Sequence, residues 1–457
     1  MSWGERSALH RTAKLLLDRG IAKTPQEAVG WLNNRVLQVA VGRGISASPA
    51  AVAALGTVIN TGSRVFLGGV RVRISSDEHL TTAWAHDLSV ADFVRRYGGS
   101  VVEELSPDYP TIRILDEDAV GGPVATLVWN GWSAGVLVDE AFATVGQNPV
   151  AGVLANTLGV SEMFQHVLGA IMPGRRSVGV SLWMPGTDWR SPEGAGPDLE
   201  YLPSKFWILG LGHLGQALAW TVGFLPYADR SALEIGLFDF DRVEEGNLAT
   251  QLLTTRRDLG RRKTRIVGDQ LEALGMRTRL VERAFDGSFI PNQSGKTEQI
   301  EPIVAFAGFD KVAPRAFLDV FDYAVDAGLG VGEDYLDSLV RTFPGTRTAA
   351  ELFGAATEAT GRPLGTAYQA EVERLVATGV ERAAAQCGML EIAGVSVGAS
   401  FVGAAVSCLV ISDALRCLHG GVRVSSIGFD LRNPNSIQTG TQSDEWRAIP
   451  AHTRASS

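Results

Sequence analysis

The sequence predicts an α/β protein built from two similar halves. Each half opens with a strand-helix-strand pattern, in which an apolar run at residues 36–44 or 205–215 contains glycines and precedes an Ala-rich helix. Residues 149–164 and 400–415 also align without a gap. The matched positions are Gly152 with Gly403, Ser161 with Ser412 and Glu162 with Asp413. A shared helix composition alone can produce such matches, but together with the two openings they indicate a duplicated fold.

The first half is predicted to alternate helices and strands. Thr24 before Pro25 and Ser48 before Pro49 are helix start signals, because a side-chain oxygen caps free N–H groups and proline fits the first turn. The predicted elements are a helix at 7–35, a strand at 36–44, a helix after Ser48, strands at 68–74, 124–130 and 134–142, and a helix from Asn148 to about Val167. Residues 173–204 are rich in Pro, Gly and charge, which is typical of a domain linker.

The second half repeats this pattern. Its predicted elements are strands at 205–215, 232–241, 301–310 and 323–330, mostly helix over 333–386, an apolar helix at 395–418 and a last strand at 424–432. The polar tail from Asn433 is expected to be loosely held. Residues 392–411 carry no charge and have about the length of a membrane-spanning helix. Because Gly, Ala, Ser and Val dominate this stretch, a buried helix packed on a sheet is favoured.

Composition excludes several function classes. The net charge is −9, so a broad electrostatic contact with nucleic acid is not expected. Three cysteines cannot form a disulfide framework or a four-cysteine zinc site. The N-terminus has no uninterrupted apolar segment of the secretory type, and a cytoplasmic location is the expectation.

A glycine-rich turn joins the first strand of the second half to its first helix. Gly210, Gly212 and Gly215 allow a tight turn, and the helix N-terminus offers free N–H groups to a phosphate. Asp239 ends the next strand, where a carboxylate binds ribose hydroxyls in nucleotide-binding folds. A turn that serves packing alone also contains glycines, but strand, glycines, helix and acid together favour nucleotide binding.

Two further runs argue against a dehydrogenase. Residues 239–251 read DFDRVEEGNLATQ, and residues 260–263 read GRRK. Here the chain resembles the ThiF/MoeB superfamily, which includes the ubiquitin-activating enzymes. The pattern of that superfamily is D-x-D-x-V-x-x-S-N-L-x-R-Q, with a lysine about thirteen residues past its arginine, as Lys263 lies past Thr250. The resemblance covers roughly residues 203–432.

The resemblance implies roles for four side chains. Asp239 would bind the ribose, and Asn247 and Lys263 would contact the phosphates of ATP. Residues 308–315 match the family segment C-T-D-N-x-x-x-R, so Asp310 would bind Mg²⁺. A solvated helix residue and a strand-end cap are the ordinary alternatives for Lys263 and Asp310, and the joint spacing argues against both. Secondary candidates are Asp241, Gln251 and Arg315.

Two positions depart from the family pattern. Thr250 stands where the family has its phosphate-binding arginine, and Gly246 stands where it has serine. Neutralising the phosphates needs a cation, although not at one fixed position. Candidates in the following loop are Arg256, Arg257, Arg261 and Arg262. Because catalysis would rest on positioning and cationic stabilisation, the absence of an acid-base pair counts for little.

Cys387 is the candidate nucleophile. In the resembled family a cysteine with the spacing C-x-x-x-G-V attacks the acyl-adenylate, and here the gap from Cys387 to Gly394 and Val395 is two residues longer. A thiolate suits this step because its acyl group can still pass to a second thiol. A buried structural cysteine is the alternative, and Cys408 and Cys417 are interpreted that way. The family's paired C-x-x-C motifs are missing, so no zinc is expected.

The first half lacks the motifs of the second. Its Gly42-Arg43-Gly44 turn has no third glycine at the expected place, and no Asn-Leu-x-Arg-Gln run follows. The resemblance therefore implies two Rossmann-like adenylation folds in tandem, related by a pseudo-twofold axis, of which the first is inactive. The expected domains are residues 1–172, a linker at 173–202, and residues 203–457 with a helical, cysteine-bearing insertion at 331–390.

The N-terminal helix is a further candidate contributor to the site. In ThiF-type pairs an arginine from the partner's N-terminal helix reaches ATP, and Arg11 or Lys14 could have this role. A solvated helix face is the alternative for both. A homodimer is one open state of assembly.

These observations predict an activating enzyme for a ubiquitin-like protein. The resemblance is greatest to the activating component of bacterial ubiquitin-like conjugation operons, which are associated with defence against phage. It implies ATP and Mg²⁺ as cofactors, and as partners a small ubiquitin-like protein with a free C-terminal tail and a conjugating enzyme, with no nucleic acid and no membrane. The alternatives are a sulfur-carrier adenylyltransferase of the ThiF/MoeB type and a non-catalytic ThiF-like scaffold, with a nicotinamide dehydrogenase a distant third.

Overall fold

The structure is a computed structural model of the 457-residue chain. It describes residues 10–116, 118, 121–138, 142, 144–291, 302–355, 366–379, 381–382, 397–443, 449 and 452–456. Two large sheets with helices packed on them confirm the predicted α/β class.

The described part of the first half contains nine strands. They are β1 (Leu37–Val41), β2 (Val70–Ile74), β3 (His79–Leu80), β4 (Leu88–Ser89), β5 (Gly99–Val101), β6 (Thr111–Ile114), β7 (Val124–Asn130), β8 (Ser133–Leu137) and β9 (Val178–Ser181). Seven of them form one sheet in the order β5-β2-β1-β6-β7-β8-β9. The first five in this order are parallel, and β8 and β9 are added antiparallel. Strands β3 and β4 form a separate short pair.

The described residues of the first half form five α-helices. They are α1 (Arg11–Asp18), α2 (Pro25–Asn33), α3 (Pro49–Gly62), α4 (Val90–Arg96) and α5 (Pro149–Val167). The predicted start signals act as caps: the Thr24 hydroxyl accepts from the N–H of Glu27, and the Ser48 hydroxyl accepts from the N–H of Ala51. The single helix expected over 7–35 is two helices, because Gly20 turns the chain between them with φ +66°.

The second half contains twelve described strands. They are β10 (Tyr201–Pro203), β11 (Lys205–Leu209), β12 (Glu234–Phe238), β13 (Arg277–Val281), β14 (Val304–Ala307), β15 (Tyr323–Leu329), β16 (Asp337–Phe343), β17 (Arg423–Val424), β18 (Ser426–Asp430), β19 (Gln438–Thr439), β20 (Gln442–Ser443) and β21 (His452–Arg454). The large sheet has the order β13-β12-β11-β14-β15-β16-β18-β19. Its described helices are α6 (His213–Phe224), α7 (Lys263–Ala273), α8 (Ala349–Phe353), α9 (Thr366–Ala377) and α10 (Ser400–His419).

The two large sheets have the same strand order over seven positions. In each sheet the strand before the glycine turn lies third, two strands added in sequence lie to one side, and the last two strands of the common set are antiparallel. Helices α3 and α5 contact the first sheet, α6 and α10 contact the second, and these four helices pack on one another. One hydrophobic core therefore runs through both halves.

Close helix contacts explain the internal sequence match. A Cβ atom on Gly152 would lie 2.0 Å from the carbonyl oxygen of Ala50, and one on Gly403 would lie 2.5 Å from Cδ2 of His213. Both glycines thus allow one helix to approach the start of another. The matched acids are both buried and paired: Glu162 binds Arg176 at 2.7 Å, and Asp413 binds Arg416 at 2.5 Å.

Three further expectations about elements are wrong. Asp337–Phe343 is a strand and not part of a helical segment, because its alternating side chains pair it between β15 and β18. Val178–Ser181, within the expected linker, completes the first sheet. The tail is not loosely held where it is described, since β19 pairs with β18, and β21 pairs with β10.

Helix α10 is the described helix long and apolar enough to span a membrane. In the structure 94% of its most apolar window is buried inside the protein. The expectation of a buried helix, which the small side chains of this stretch favoured over a membrane-spanning one, is therefore confirmed.

Candidate functional site

A cleft of about 560 Å³ lies where the parallel strands of the second sheet end. The carboxyl ends of β11, β12 and β14 meet there, as expected for a ligand site in a parallel sheet. The sequence-predicted residues that line it are Gly210, Gly212, Asp239, Asp241, Asn247, Gln251, Lys263, Asp310, Arg315 and Arg11. The topology thus brings together most of the residues that the motifs had singled out.

The glycine turn keeps backbone N–H groups open to this cleft. Gly210 has φ +80°, a left-handed conformation that favours glycine. A Cβ atom on Gly212 would meet no described neighbour within 4 Å, and no described side chain caps the first turn of α6. Gly215 does not line the cleft; its Cβ would lie 1.8 Å from the Gly210 carbonyl oxygen, so glycine is needed there for packing.

Two carboxylates and a lysine lie beside the turn. Asp239 accepts hydrogen bonds from the N–H of Leu211 at 2.6 Å and from the N–H of Asp241 at 2.7 Å. Burial raises the pKa of Asp239, against the opposing effect of the Lys263 ammonium. Lys263 is buried at the start of α7 and contacts Asp241 at 2.8 Å. A buried ammonium at the edge of the cleft is suited to bind an anion.

The run after β12 is held by side-chain amides. Asn247 accepts from the N–H of Glu244 at 3.0 Å and shapes a short 3₁₀ turn at Glu245–Ala249. Gln216 of α6 donates to Gln251 at 2.9 Å and accepts from the N–H of Leu253 at 3.0 Å. These bonds fix the run against the helix that follows the glycine turn.

Asp310 is exposed in the cleft, and Arg315 stabilises the loop that carries it. Arg315 donates to the carbonyl oxygens of Phe309 and Lys311, and it binds the buried Asp326 at 2.8 Å. Arg315 therefore holds the backbone on both sides of Asp310. Magnesium is commonly bound by one or two carboxylates together with substrate phosphates, and Asp310 offers such a carboxylate. The described residues contain no cluster of three or more metal-ligating side chains.

The N-terminal helix forms one wall of the cleft. Arg11 lines it, and the carbonyl oxygen of Arg11 accepts from the N–H of Gly398 at 3.4 Å. The Thr12 hydroxyl donates to the carbonyl oxygen of Gly398 at 2.9 Å. Lys14 is buried, pairs with Asp18 and does not line the cleft.

The four arginines of the loop after Thr250 do not line the cleft, although Arg262 donates to the carbonyl oxygen of Phe240, which does. Arg256 is 74% exposed and pairs with Glu245, and Arg257 is also exposed. Arg261 pairs with Asp258 and Asp269, both at 2.7 Å. The expectation that one of them replaces the family arginine finds no support in their positions.

Two of the three cysteines, Cys408 and Cys417, lie in the described part of the chain. Cys387 lies outside the described residues. Cys408 and Cys417 are buried in α10, and burial raises the pKa of the Cys417 thiol to about 11. Both therefore behave as small core residues, as expected.

Several cleft residues were missed by sequence reasoning. Phe240, Arg283 and Phe285 line the cleft, and so does His213 inside the glycine turn. His213 had a signal, because it lies within the glycine-rich turn itself. Arg64 had none: it lies in the first half, yet it donates to the carbonyl oxygens of Leu248, Leu252 and Thr254. The first half thus supports the run that carries Asn247 and Gln251.

The corresponding turn of the first half is filled by its own chain. The Glu78 carboxylate, after β2, accepts from the N–H groups of Gly44 at 2.6 Å and Ser46 at 3.0 Å. It also accepts from the Ser46 hydroxyl at 2.6 Å. Burial would raise the pKa of Glu78, but these hydrogen bonds to the ionised form prevail and lower it. An internal carboxylate therefore occupies the N–H groups that a phosphate would need.

Comparison with known proteins shows the family to which the chain belongs. The chain is 36% identical over 451 residues to a protein of Collimonas sp. (strain OK412) named bacterial E1-like protein BilD, covering 96% of this chain and 94% of the relative. The family profiles for the BilD N-terminal domain and the BilD C-terminal domain match residues 36–182 and 202–421. The chain belongs to the BilD family of bacterial E1-like proteins. The resemblance to the E1-like superfamily is confirmed at this level.

Solved structures of E. coli MccB are also similar, at a low level. MccB with MccA-N7isoASN matches with a TM-score of 0.33 and 15% identity, and the match covers 54% of this chain and 66% of that chain. MccB with ATP matches with a TM-score of 0.32 and 14% identity, with the same coverage. The chain spans about two thirds of the MccB chain, and the likeness is too low to establish a shared fold.

Proposed function

We propose that this protein activates the C-terminus of a ubiquitin-like protein. It would adenylate that C-terminus with ATP, form a thioester with a cysteine and pass the acyl group to a conjugating enzyme. The single observation that carries the proposal is the cleft, in which Asp239, Lys263 and Asp310 surround an uncapped helix N-terminus. Membership of a bacterial E1-like family supports it.

The cleft has the groups that adenylation needs. A carboxylate oxygen of the modifier attacks the α-phosphorus of ATP, a P–O bond forms, and the bond to pyrophosphate breaks. The N–H groups of α6 and the Lys263 ammonium would bind the phosphates, and Asp239 would bind the ribose. Asp310 would hold Mg²⁺, which supplies charge neutralisation on the phosphates. Asn247 lies within the same cleft as a polar contact.

Arg11 is our candidate for the cation that Thr250 does not provide. Both residues line the cleft, and both lie close to Gly398: a Cβ atom there would be 3.0 Å from Cγ2 of Thr250 and 3.8 Å from Cβ of Arg11. Arg11 begins α1 of the same chain. A homodimer is therefore not required to complete the site.

The first half would be an inactive scaffold for the second. We retain the proposal of two adenylation-type folds in tandem, with the division in the part of the expected linker that follows β9 and the second domain at 203–457. Glu78 fills the first half's glycine turn, and Arg64 donates to backbone carbonyls next to the second half's site. One half would thus hold the site in place while the other binds the nucleotide.

Cys387 stays the proposed thioester nucleophile. Val397 and Gly398 line the cleft, and Cys387 lies ten residues before Val397. Ten extended residues span at most ~35 Å, so the thiol is within reach of the cleft. The Arg382 guanidinium is paired with Glu373 at 2.5 Å, so its help in forming a thiolate would require that pair to open. The expected mobile lid would have to begin after β16, because Asp337–Phe343 is paired within the sheet, and it would carry the cysteine to the adenylate.

Modifier-dependent exchange of pyrophosphate into ATP tests the adenylation step. Asp310→Ala should lower the exchange rate by about 10²-fold or more, because the metal-bound phosphates lose their anchor. Asp322→Ala, an exposed aspartate at the opposite end of the neighbouring strand, is the matched control and should exchange normally. If the chain binds NADH and does not bind ATP, the proposed adenylation function is wrong. If it binds ATP but catalyses no exchange, it is the non-catalytic ThiF-like scaffold.

Gel analysis under denaturing conditions tests the thioester step. Cys387→Ala should retain pyrophosphate exchange and lose the modifier adduct that thiol reductants release. Cys408→Ala is the control and should keep the adduct, since its thiol is buried in α10. If Cys387→Ala still charges the conjugating enzyme, transfer runs directly from the adenylate. If a sulfur donor consumes the adenylate instead, the protein is a sulfur-carrier adenylyltransferase.

A further inference from the structure

We propose that Asp326 is a positioning residue for the carboxylate of Asp310, and that it acts through Arg315 on the backbone that carries Asp310. The inference rests on the proposed adenylation function, in which Asp310 would hold Mg²⁺. Asp326 lies in β15 and does not itself line the cleft. The function of the site would thus depend on a buried residue behind its wall.

Arg315 connects Asp326 to both sides of Asp310. Its Nη1 donates to Oδ2 of Asp326 at 2.8 Å. Its Nε donates to the carbonyl oxygen of Lys311 at 3.3 Å, and its Nη2 donates to the carbonyl oxygen of Phe309. All three nitrogens of the planar guanidinium are therefore engaged, one by the anchor and two by the loop. Because the group is rigid, a shift at Asp326 would move both ends of the loop.

Close packing holds this guanidinium in place. A Cβ atom on Gly328 would lie 3.1 Å from Nη1 of Arg315, so glycine leaves room for the group. The centroid of the Phe353 ring lies 5.9 Å from Cζ of Arg315 and 5.5 Å from Cζ of Arg341. Arg341 lies directly opposite Asp326 in β16. Two guanidinium groups thus share one aromatic ring beside one buried carboxylate.

The stability of the fold does not account for a carboxylate at this position. Asp326 is completely buried, and its Oδ1 has no hydrogen-bond partner among the described residues. Burial raises the pKa of Asp326, and the charges of Arg315 and Arg341 oppose that effect. A buried oxygen without a partner loses its hydration and gains no bond in return. Apolar residues often replace buried ion pairs without loss of stability, so placing Arg315 is the better reason for this carboxylate.

The first half shows that the hairpin does not require a charged pair. Strands β7 and β8 form the antiparallel pair at the equivalent place in the first sheet. Their five cross-strand pairs contain no charged residue. In the second half the pair of β15 and β16 places Asp326 opposite Arg341. The charged anchor therefore belongs to the half whose cleft contains Asp310.

Calorimetric titration of the full-length chain with ATP, with and without Mg²⁺, measures what the metal adds to binding. Asp326→Asn removes the charge of the anchor. Arg315→Lys keeps a positive charge but loses the fork of donors that reaches both carbonyl groups. Asp413→Asn is the matched control, because Asp413 is another buried aspartate of the second half that is paired with an arginine and does not line the cleft. The Tm of each variant is measured alongside.

We expect the gain in ATP affinity from Mg²⁺ to be about tenfold smaller in Asp326→Asn and in Arg315→Lys than in the wild type, because Asp310 is no longer held in position. ATP affinity without Mg²⁺ should stay close to that of the wild type. The double variant should lose no more than the more affected single variant, since Asp326 acts through Arg315. Asp413→Asn should have a lower Tm and the wild-type gain from Mg²⁺.

Three results would overturn the inference and leave the proposed function intact. They are a wild-type gain from Mg²⁺ in Asp326→Asn, an equal loss of ATP affinity with and without Mg²⁺, and losses in the double variant that add up. Asp326→Ser also removes the charge, and it takes the place of Asp326→Asn if that variant does not fold. If the wild-type chain binds no ATP in the presence of Mg²⁺, the proposed function fails as well.

Discussion

The two glycine turns of this protein occupy equivalent places in sheets of the same strand order, yet they present different chemistry. In the second half the turn is open to a cleft, and Asp239 reaches only the first N–H beyond Gly210. In the first half Glu78 reaches further and accepts from both Gly44 and Ser46. The loop after the second strand therefore decides which turn can accept an anion.

The two turns also differ in the charged residues around them. The buried Lys263 and the exposed Asp310 line the cleft of the second half, and Arg11 from the first half lines it as well. The first half supplies Arg64 to the other side of the interface. Two sheets of the same strand order thus share one core, while the charged groups are concentrated at the turn of the second half.

The largest effect on activity is expected from substitution of Lys263, the buried cation beside the glycine turn of the second half. Lys263→Ala should lower modifier-dependent pyrophosphate exchange by ~10²–10³-fold, because a buried cation beside the phosphates is lost. Exchange kinetics at saturating ATP measure the change.

Lys205→Ala is the control for the loss of one positive charge. Lys205 is 42% exposed at the start of β11, far along the strand from the cleft. Its exchange rate should stay within about twofold of wild type. Near-normal exchange by Lys263→Ala would contradict the assignment of this cleft as the nucleotide site.

An intermediate effect is expected at Arg11, which belongs to the first half but lines the second half's cleft. Arg11→Ala should raise the KM for ATP or lower the exchange rate by ~10–100-fold, as for loss of one charge-assisted hydrogen bond. Arg256→Ala is the matched control, because its side chain is 74% exposed and paired with Glu245. Equal effects of the two substitutions would show that the site needs general positive charge and no specific contact.

The residues that the sequence singled out in the second half line one cleft because they follow strands in local motifs. The glycine turn, Asp239, Lys263 and Asp310 are each fixed by the end of a strand or the start of a helix, so parallel strands bring them together. The roles of these residues stay predictions. The strand Asp337–Phe343 was missed because it lies next to helical segments, and its pairing with β15 and β18 is a long-range effect.

Residues that act across the interface could not be predicted from local patterns. Arg64 and Glu78 resemble ordinary surface residues in the sequence, and their partners lie in carbonyl and N–H groups that only the folded chain brings close. Arg11 was a candidate through the family resemblance alone. Its place beside Gly398 depends on α1 packing against the segment before α10.

The smallest expected effect tests whether Glu78 stabilises the first half's turn in place of an anion. Glu78→Ala should lower the free energy of unfolding by about 1 kcal/mol at pH 7, because Gly44 and Ser46 lose their acceptor while water partly replaces it. Glu103→Ala, an exposed glutamate after β5, is the control and should change little. Urea denaturation of the full chain measures both variants.

The pH dependence of that effect distinguishes the ionised carboxylate from a merely space-filling side chain. The hydrogen bonds lower the pKa of Glu78 in the folded state, so its stabilisation is fully present above the unfolded value of about 4.3 and is lost as pH falls through the lower folded value. Glu78→Gln keeps an acceptor oxygen but has no charge to lose. The stability difference between wild type and Glu78→Gln should therefore shrink as the pH is lowered below about 4.3, while the difference for Glu103→Gln stays flat. A difference that is constant from pH 7 downward would mean that the first half's turn is held by shape alone, and that the contrast between the two turns does not rest on an internal anion.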